Sequence, residues 1–307
     1  MIAASIRLRA ECKINLYLHV GERLPSGYHA LESLLLPLAE PHDTLDIRVP
    51  SDASEGLVQT SFVTACKEAR PISGIDPRHN TLTRAAAWHA EQTNFRPALD
   101  IRVCKGIPHG AGLGGGSSDA AALLLWLREQ AILAGARVPR VEHFLERAAA
   151  IGADVPFFLL GKPALAEGIG EKLRPAANPY AGYFLLLLCP DIAVSTAWAF
   201  AALDRERSEK TTPRVLTSEV SRARSSLAHT PELSEQSNDF EPLVFAAYPE
   251  LGRLHERLLQ SGTTLARMSG TGSSLFGLYR EEKIAREAAK TLAKKGLSIY
   301  IQCLPEY

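Results

Sequence analysis

The chain has 307 residues, of which 46% are hydrophobic, and its 34 Lys and Arg residues balance its 34 Asp and Glu residues. This length favours one large domain or two smaller ones with a sizeable core. Zero net charge disfavours general binding to nucleic acid or to an anionic membrane, because such binders usually carry a basic excess. Five scattered cysteines without a C-x-x-C spacing favour reduced, packed thiols. With no signal-peptide core and no membrane-length apolar run, we expect a cytoplasmic protein.

The first half of the chain predicts strands and helices that follow one another. Alternation of apolar and polar residues predicts half-buried strands, and a 3.6-residue period predicts helices. The predicted strands are "SIRLRAECKINLYLHV", "LDIRVP" and "ALDIRVCKGIP", and the predicted helices are "NTLTRAAAWHAEQT", a segment from about Ser117 to Ala134, and "VEHFLERAAAIG". Asn80 or Thr81 is the expected N-cap of the first helix, and Gly135 the expected end of the second.

The second half of the chain predicts a further domain. "AGYFLLLLCP" is typical of a buried strand, so we place a boundary near residue 160, between an N-terminal domain of residues 1–160 and a C-terminal domain of residues 161–307. Residues 203–239 are rich in Ser, Arg and Glu, which predicts a solvated helix and loop. A helical stretch ended by Gly262, a strand with a glycine turn, an amphipathic helix and a closing strand follow. These elements predict an α+β protein with two sheets covered by helices.

The run "KGIPHGAGLGGGSSDAA", residues 105–121, places six glycines before an apolar helix. Backbone N–H groups at a helix start lack intrahelical partners, and glycines let an anion approach them closely. The run therefore predicts a phosphate-binding loop. It is not a P-loop, because no Lys follows the glycines, and it lacks the acidic partner of a dinucleotide fingerprint. The competing interpretation is that the glycines only allow tight packing of a strand against a helix.

Three ordered stretches resemble the GHMP kinase superfamily, whose members phosphorylate hydroxyls of small metabolites such as galactose, homoserine and mevalonate. The stretches are "AECKINLYLHVGERLPSGYHALESLLLPL", "PHGAGLGGGSSDA" and "RMSGTGSSLFGLY". The resemblance implies a two-domain fold, with an N-terminal ribosomal-protein-S5-domain-2-like domain and a C-terminal ferredoxin-like α/β sandwich. "GADVPFFLLGKPALAEGIGEKL" and the pair Asn238–Asp239 give a finer match to a member whose substrate carries a cytidine diphosphate moiety. Another kinase of the superfamily, for mevalonate, homoserine or a sugar, is the alternative.

The resemblance implies that Lys13 and Asp154 are catalytic. Transfer of a phosphoryl group to an alcohol needs positioning, charge neutralisation and an acceptor for the hydroxyl proton. Asp154 would orient the acceptor hydroxyl and take its proton, and Lys13 would stabilise charge on the attacking oxygen and on the phosphoryl group. Without the motifs, an ordinary salt bridge would explain both residues.

The implied ATP site comprises the loop itself and two outlying residues. Asn80 and Lys105 match positions near the adenine and ribose, although Lys105 could also be a solvated lysine at a strand end. The loop residues are Pro108, His109, Gly110, Ala111, Gly112, Leu113, Gly114, Gly115, Gly116, Ser117 and Ser118. Ser117 and Asp119 are the candidate ligands of Mg²⁺, and Asp119 could instead be a residue of the first helical turn, where the helix dipole favours a carboxylate.

The implied acceptor site combines aromatic and polar residues. Stacking on an aromatic face and hydrogen bonds to the base edge would hold a cytosine. The candidate residues are Asn15, Tyr28, His29, Thr196, Phe200, Gly270, Thr271 and Gly272. Phe200 could also belong to the core, and the second glycine turn, from Ser269 to Ser273, could shape only the domain junction. We expect a small-molecule substrate, ATP, no nucleic-acid or membrane partner, and a monomer or weak homodimer. A binding module without turnover is the rival from another class.

Overall fold

The computed structural model describes residues 5–51, 54, 56–64, 72, 75–76, 78–209 and 236–307. The strands in this part of the chain are β1 (Ser5–Arg23), β2 (His29–Arg48), β3 (Val58–Thr64), β4 (Leu99–Lys105), β5 (Ala164–Glu167), β6 (Lys172–Pro175), β7 (Phe184–Pro190), β8 (Leu265–Met268), β9 (Leu275–Tyr279) and β10 (Leu297–Cys303). The helices are α1 (Thr81–Thr93), α2 (Gly115–Leu133), α3 (Val141–Ala148), α4 (Val155–Leu160), α5 (Thr196–Glu209), α6 (Glu241–Ala247), α7 (Pro249–Leu259) and α8 (Glu282–Leu292).

The chain divides into two compact units, and each unit is built from three separate segments of the sequence. The first unit contains Met1–Cys12, Pro37–Pro108 and Gly114–Lys162, and the second contains Lys13–Leu36, His109–Leu113 and Pro163–Tyr307. The strands β1 and β2 and the glycine loop each contribute residues to both units. The boundary near residue 160 stays a prediction, since it concerns sequence-continuous domains and these units are interleaved.

In the first unit, helices cover one face of a sheet. β4 pairs with β3 in parallel and with the last residues of β2 antiparallel, so that Thr44 lies opposite Cys104. Alternate residues of these strands point into a core that α1 and α2 close from the same side. The core contains Leu45, Ile47, Leu82, Leu99, Ile101, Val103, Leu123, Leu124 and Trp126, among others. This packing presents the start of α2 near the end of β4.

In the second unit, a four-stranded antiparallel sheet has the order β10-β7-β9-β8. Its central strand β7, FLLLLCP, is buried along nearly its whole length, as the sequence predicts. The apolar faces of α7 and α8 pack on this sheet, and they carry Leu251, Leu254, Leu258, Ala285 and Leu292 into the core. The first part of β2 pairs with β5 in this unit. The predicted α+β class with two sheets is confirmed.

Two predicted segments differ in detail from the structure. The helical stretch before Gly262 is two helices, because the chain leaves the helical conformation at Tyr248, directly before Pro249. A residue before proline is sterically disfavoured in the α conformation. The predicted solvated segment 203–239 lies largely outside the described residues, and its described part consists of the end of α5 and residues 236–239.

The described cysteines form no disulfide, and their burial differs from one to the next. Cys12 and Cys189 are buried, as the sequence predicts, whereas Cys303 at the end of β10 is exposed. Burial raises the pKa of the Cys189 thiol to about 11, which keeps it protonated. Cys66 lies outside the described residues. Among the described helices, none combines the length and the apolar character needed to cross a membrane.

His89 on α1 makes the stability of the first unit dependent on pH. Its ring is fully buried beside Phe95 and Phe144, and its Nε2 atom has no hydrogen-bond partner among the described residues. Burial lowers the pKa of His89 to about 4. Between about pH 6.5 and pH 4, the unfolded chain therefore binds a proton that the folded chain largely does not bind. We expect this histidine to reduce the free energy of unfolding by about 2 kcal/mol at pH 5 and about 3 kcal/mol at pH 4, relative to pH 7.

Urea denaturation between pH 4 and pH 7 measures this effect in His89→Leu. The loss of stability with falling pH should be smaller in His89→Leu than in the wild type by the amounts above. His143→Leu is the matched control, because His143 is exposed on the neighbouring helix α3. Equal pH dependence in His89→Leu and His143→Leu would show that His89 does not carry the effect.

Candidate active site

The start of α2 is an uncapped helix terminus. Its N-cap, Gly114, has a φ of 75° and, as a glycine, has no side chain that could form a capping hydrogen bond. Gly110 and Gly112 also have positive φ angles, of 65° and 73°, which residues with a Cβ adopt only with strain. The first N–H groups of a helix have no intrahelical partner. These N–H groups therefore remain available to an anion, as the predicted phosphate loop requires.

The helix α1 shows the contrasting arrangement. The side chain of Asn80 accepts hydrogen bonds from the N–H groups of Leu82 and Thr83, and Thr83 completes a capping box. The amide of Asn80 also donates to Thr60 Oγ1, at 2.9 Å. The predicted N-cap role of Asn80 is confirmed, and its contact with the nucleotide stays a prediction.

The two serines that follow the glycines have different surroundings. Ser118 is buried, and its hydroxyl donates a hydrogen bond to the carbonyl of Glu11 on β1. This bond anchors α2 to the sheet. Ser117 is half-buried, and a Cβ added to Gly152 would lie 3.2 Å from its Oγ atom. The segment that leads to Asp154 thus passes close to the start of α2, within the first unit.

Asp154 immediately precedes α4 and is half-buried. Its side chain forms no capping bond with this helix, whose second residue is Pro156. A cap would be the ordinary structural use of an aspartate at a helix start. The Asp154 carboxylate therefore does not serve as the cap of α4.

Lys105 is not a solvated lysine, so that alternative is wrong. Its ammonium contacts the carboxylates of Asp43 and Asp119, at 2.8 Å from Asp119 Oδ2, and its side chain is only 12% exposed. Burial alone would lower the pKa of Lys105, but the two carboxylates outweigh burial and raise it. Burial raises the pKa of Asp119, and the neighbouring Asp43 raises it further against the opposing effect of Lys105. Lys105 therefore links β4 to α2 through an ion pair.

The position of Asp119 corrects one sequence expectation. Because α2 begins at Gly115, two residues earlier than predicted, Asp119 lies beyond the first helical turn. The stabilisation of a carboxylate by the helix dipole falls off within that turn, so it does not explain this residue. Asp119 is 2% exposed, and its Oδ1 atom has no hydrogen-bond partner in the part of the chain that the structure describes. No group of three or more His, Cys, Asp or Glu residues in that part could hold a metal ion.

In the second unit, Lys13 and Asn15 lie against the glycine loop. Lys13 is buried, its Nζ atom donates to Asn15 Oδ1 at 2.6 Å, and its N–H donates to the carbonyl of Leu113 at 3.1 Å. The amide of Asn15 also donates to Ser33 Oγ, at 2.8 Å. This chain of hydrogen bonds fixes the direction of the Lys13 side chain on β1.

The second glycine turn packs directly on the first loop. Ser269 Oγ donates to the carbonyl of Gly112 at 2.9 Å, and a Cβ added to Gly112 would lie only 2.0 Å from the Ser269 carbonyl oxygen. Asn238 is buried, and its amide donates to the carbonyls of Met268 and Gly270. The turn therefore contacts Gly112 of the loop and also Asn15, whose N–H donates to Ser269 Oγ at 3.2 Å. Asn238 holds the turn there, and the contact of the turn with the substrate stays a prediction.

The remaining loop residues differ in exposure. The carbonyl of Gly110 accepts from the N–H of Val194, and that of Ala111 accepts from the N–H of Ser274. Ala111 and Leu113 are buried, Pro108 is half-buried, and the side chain of His109 is exposed. Backbone hydrogen bonds from Val194 and Ser274, together with the Ser269 hydroxyl, thus fix the course of the loop in the second unit.

Two of the predicted acceptor residues, Thr196 and Phe200, lie on α5, and a third, His29, contacts this helix. The buried ring of His29 stacks on Phe200, with ring centroids 5.1 Å apart, and His29 Nε2 lies 2.7 Å from Asp204 Oδ1. Phe200 and Asp204 are four residues apart on α5, so they meet the same ring. Tyr28 is 63% exposed. Phe200 is also partly packed against the core, and its contact with the substrate stays a prediction.

A further contact joins the start of α5 to the second glycine turn. Thr196 Oγ1 lies 3.2 Å from Thr271 Oγ1. A cavity of about 980 Å³ lies within the second unit, and His29, Asp204 and Asn238 are among its lining residues. Contacts thus join His29 to α5, Thr196 to Thr271, and Asn15 to Ser269 of the second glycine turn.

Sequence reasoning missed Asp43 and Asp204. Asp43 is completely buried and interacts with Lys105, Gly106 and Ile107, and Asp204 binds His29. Each is a single aspartate in an ordinary strand or helix, so no local pattern identifies it. The sequence around Asp43, EPHDTLD, is itself polar and gives no sign that this carboxylate is buried.

Comparisons with known proteins identify the family of this chain. Family models described as GHMP kinases N terminal domain and GHMP kinases C terminal match residues 80–162 and 215–297. A 4-diphosphocytidyl-2-C-methyl-D-erythritol kinase of Nitratidesulfovibrio vulgaris, strain Hildenborough, is 45% identical over 96% of this chain and 98% of its own. A crystal structure of 4-(cytidine 5'-diphospho)-2C-methyl-D-erythritol kinase has a TM-score of 0.71 and 33% identity, covering 96% of this chain and 98% of the other.

A more distant structure shares the fold alone. Homoserine kinase from Cytophaga hutchinsonii superposes with a TM-score of 0.62 at 16% identity, over 99% of this chain and 96% of the other. The predicted two-domain kinase fold is thus confirmed, and ATP is the co-substrate that the family implies. The chain belongs to the GHMP kinase family and, within it, to the group of 4-diphosphocytidyl-2-C-methyl-D-erythritol kinases.

Proposed function

We propose that this chain transfers the γ-phosphoryl group of ATP to the 2-hydroxyl of 4-diphosphocytidyl-2-C-methyl-D-erythritol, a step in the synthesis of isoprenoid precursors by the non-mevalonate pathway. The observation that carries the proposal is similarity to kinases of that name over 96% of the chain, at 45% identity. The uncapped start of α2, which follows the glycine loop, supplies the anion site that such a reaction needs.

The ATP phosphates bind, in this proposal, to N–H groups of the glycine loop and of the first turn of α2. The N–H groups of Gly115, Gly116 and Ser117 lie in that first turn, where intrahelical partners are lacking. The absence of a Cβ at the glycines allows a phosphate oxygen to approach the backbone. The Lys105 ammonium is held by two carboxylates, and we keep its proximity to the ribose as a prediction.

The transfer step assigns distinct roles to Asp154 and Lys13. Asp154 orients the acceptor hydroxyl and receives its proton. A carboxylate is a weak base for an alcohol, so the proton moves late, when the bond to phosphorus is already forming. Lys13 stabilises negative charge on the attacking oxygen and on the phosphoryl group as they develop. The hydrogen bond from Lys13 to Asn15 holds the ammonium in one direction before the substrate arrives.

The cytidine end of the acceptor binds, in this proposal, near α5 and Tyr28. The exposed Tyr28 ring offers a face for stacking, and Phe200 and His29 supply a second aromatic surface. Stacking of a base on an aromatic ring contributes about 1–3 kcal/mol. Thr196 and the turn residues Gly270, Thr271 and Gly272 are assigned to the remainder of the acceptor, since Thr196 and Thr271 are in contact.

Mg²⁺ is assigned to Ser117 and Asp119. The unpartnered, buried Oδ1 atom of Asp119 fits a cation ligand, and Mg²⁺ commonly takes only one or two protein ligands beside phosphate oxygens and water. When bound, the ion neutralises charge on the phosphates. Asp119→Asn is expected to raise the Mg²⁺ concentration needed for the half-maximal rate, by about tenfold if one charged ligand worth 1.4 kcal/mol is lost. An unchanged Mg²⁺ dependence of the rate would leave Asp119 as a partner of Lys105 alone.

An acceptor screen tests the proposed function. ADP release is measured with 4-diphosphocytidyl-2-C-methyl-D-erythritol, mevalonate, homoserine and galactose at equal concentrations. We expect turnover with the first compound alone. Turnover with one of the others would assign the chain to a different activity of the same fold, and ATP binding without turnover on any alcohol would support a binding module. Cytoplasmic location and a monomeric or weakly dimeric state stay predictions.

A further inference from the structure

Asp43 is a fully buried carboxylate that the proposed reaction does not use. It lies on β2, one residue before Thr44, which is paired with Cys104 on β4. This register places Asp43 beside the end of β4, where the chain leaves the sheet and enters the glycine loop. A carboxylate at such a position needs several strong partners to offset its burial.

One oxygen of Asp43 binds the entry to the loop. Asp43 Oδ1 accepts hydrogen bonds from the N–H groups of Gly106, at 2.7 Å, and Ile107, at 2.8 Å. These are the first two residues after β4. Hydrogen bonds to a charged acceptor are about twice as strong as neutral ones. The backbone is therefore fixed at the point where the loop begins.

The other oxygen of Asp43 interacts with the end of the loop in two ways, through an ion pair with Lys105 and by its closeness to Gly115. Asp43 Oδ2 contacts Lys105 Nζ, which also donates to Asp119 Oδ2 on α2, at 2.8 Å. A Cβ added to Gly115, the first residue of α2, would lie 3.4 Å from Asp43 Oδ2. Asp43 therefore lies directly against the start of α2. Through the Lys105 ammonium it is also linked to Asp119 in the next turn of the same helix.

We propose that Asp43 is a positioning residue for the nucleotide. By holding Gly106 and Ile107 at one end of the loop and α2 at the other, it sets the direction of the N–H groups that receive the phosphates. This inference rests on the proposed binding of ATP by the loop. The role is indirect, because two carboxylates around one lysine form an acidic cluster that would repel a phosphate rather than bind it.

The variant Asp43→Asn removes the charge of this side chain while keeping nearly the same shape. Asparagine keeps a carbonyl oxygen for Gly106 and Ile107 but loses the ion pair with Lys105. We expect the affinity for a non-hydrolysable ATP analogue, measured by titration calorimetry, to fall about tenfold, equivalent to about 1.4 kcal/mol. The KM for ATP should rise by the same factor, with the KM for the acceptor unchanged. Asp43→Ala, which retains no acceptor, should bind the analogue more weakly than Asp43→Asn.

Asp46→Asn is the matched control. Asp46 lies on the same strand, and its ion pair with Arg7 is largely exposed to solvent. This variant should bind the analogue like the wild type. Wild-type affinity in folded Asp43→Asn would overturn the inference, and so would an equal rise in the KM for both substrates, which indicates a general structural role.

A measurement on the wild type keeps the inference testable if the Asp43 variants fail to fold. Amide hydrogen exchange without nucleotide should show strong protection at Gly106 and Ile107. Exchange of these two amides at the rate of an unstructured loop would overturn the inference that Asp43 fixes the entry to the loop. The calorimetric titration uses no acceptor. If the affinity for the ATP analogue depends on Asp43 but no alcohol is phosphorylated, the proposed function fails while the role of Asp43 stands.

Discussion

Replacement of Asp154 by Asn is expected to lower kcat by about 10²–10⁴-fold, the usual contribution of a general acid or base. The amide of Asn can still orient a hydroxyl but cannot accept its proton. The KM for ATP should stay close to the wild-type value, because the proposed nucleotide site consists of backbone groups of the loop and α2. Asp154 forms no capping bond with α4, so loss of its charge removes no helix cap. Steady-state kinetics with both substrates varied measure the effect.

Glu142→Gln is the control for this variant. Glu142 is an exposed acidic residue in the first turn of α3, so its replacement also removes one negative charge near a helix start. It should leave kcat unchanged. A kcat for Asp154→Asn within a few-fold of the wild type would remove Asp154 from the reaction and leave an ordinary salt bridge as the explanation for this residue.

Replacement of Gly112 by Ala is expected to destabilise the second unit and to weaken ATP binding strongly. The new Cβ would lie 2.0 Å from the carbonyl oxygen of Ser269, which is backbone and cannot move aside as a side chain could. The φ of 73° at Gly112 adds about 1–2 kcal/mol of strain for any residue with a Cβ. The contact with Ser269 adds the cost of overpacking to this strain. We therefore expect the free energy of unfolding to fall by about 2–5 kcal/mol in total.

Gly182→Ala isolates the contribution of backbone strain. Gly182 belongs to the same unit, has a φ of 80°, and has no atom within 4 Å of an added Cβ. This variant should lose only about 1–2 kcal/mol and should bind an ATP analogue normally. Urea denaturation and calorimetry on both variants give the comparison. Equal losses of unfolding free energy in Gly112→Ala and Gly182→Ala would show that the close contact between Gly112 of the glycine loop and Ser269 of the second glycine turn contributes nothing to the effect.

Regular periodicity made most of the fold predictable. The strand β7 is a continuous apolar run, and α8 carries its apolar residues on one face, so both follow from local sequence. The four-residue strands β5 and β6 escaped prediction because so short a segment contains no period. The strand β2 was predicted only at its end, since Pro37 and Pro41 interrupt the pattern of its first two thirds.

The candidate site was predictable where a backbone conformation requires a particular residue type. Glycines at Gly110, Gly112 and Gly114 are needed for positive φ angles, and each appears in the motif. The partners of Lys105 and His29 were not predictable, because Asp43 and Asp204 lie 62 and 175 residues away in sequence. Such pairs arise from strand register and helix packing, which a single sequence does not specify.

Incubation of the protein with ATP, Mg²⁺ and 4-diphosphocytidyl-2-C-methyl-D-erythritol, followed by ³¹P NMR of the products, tests the central claim most directly. We expect ADP and a new phosphomonoester signal coupled to the 2-position of the erythritol, formed by the wild type and nearly absent with Asp154→Asn. Hydrolysis of ATP to inorganic phosphate without a new ester, or an ester at another hydroxyl, would contradict the account.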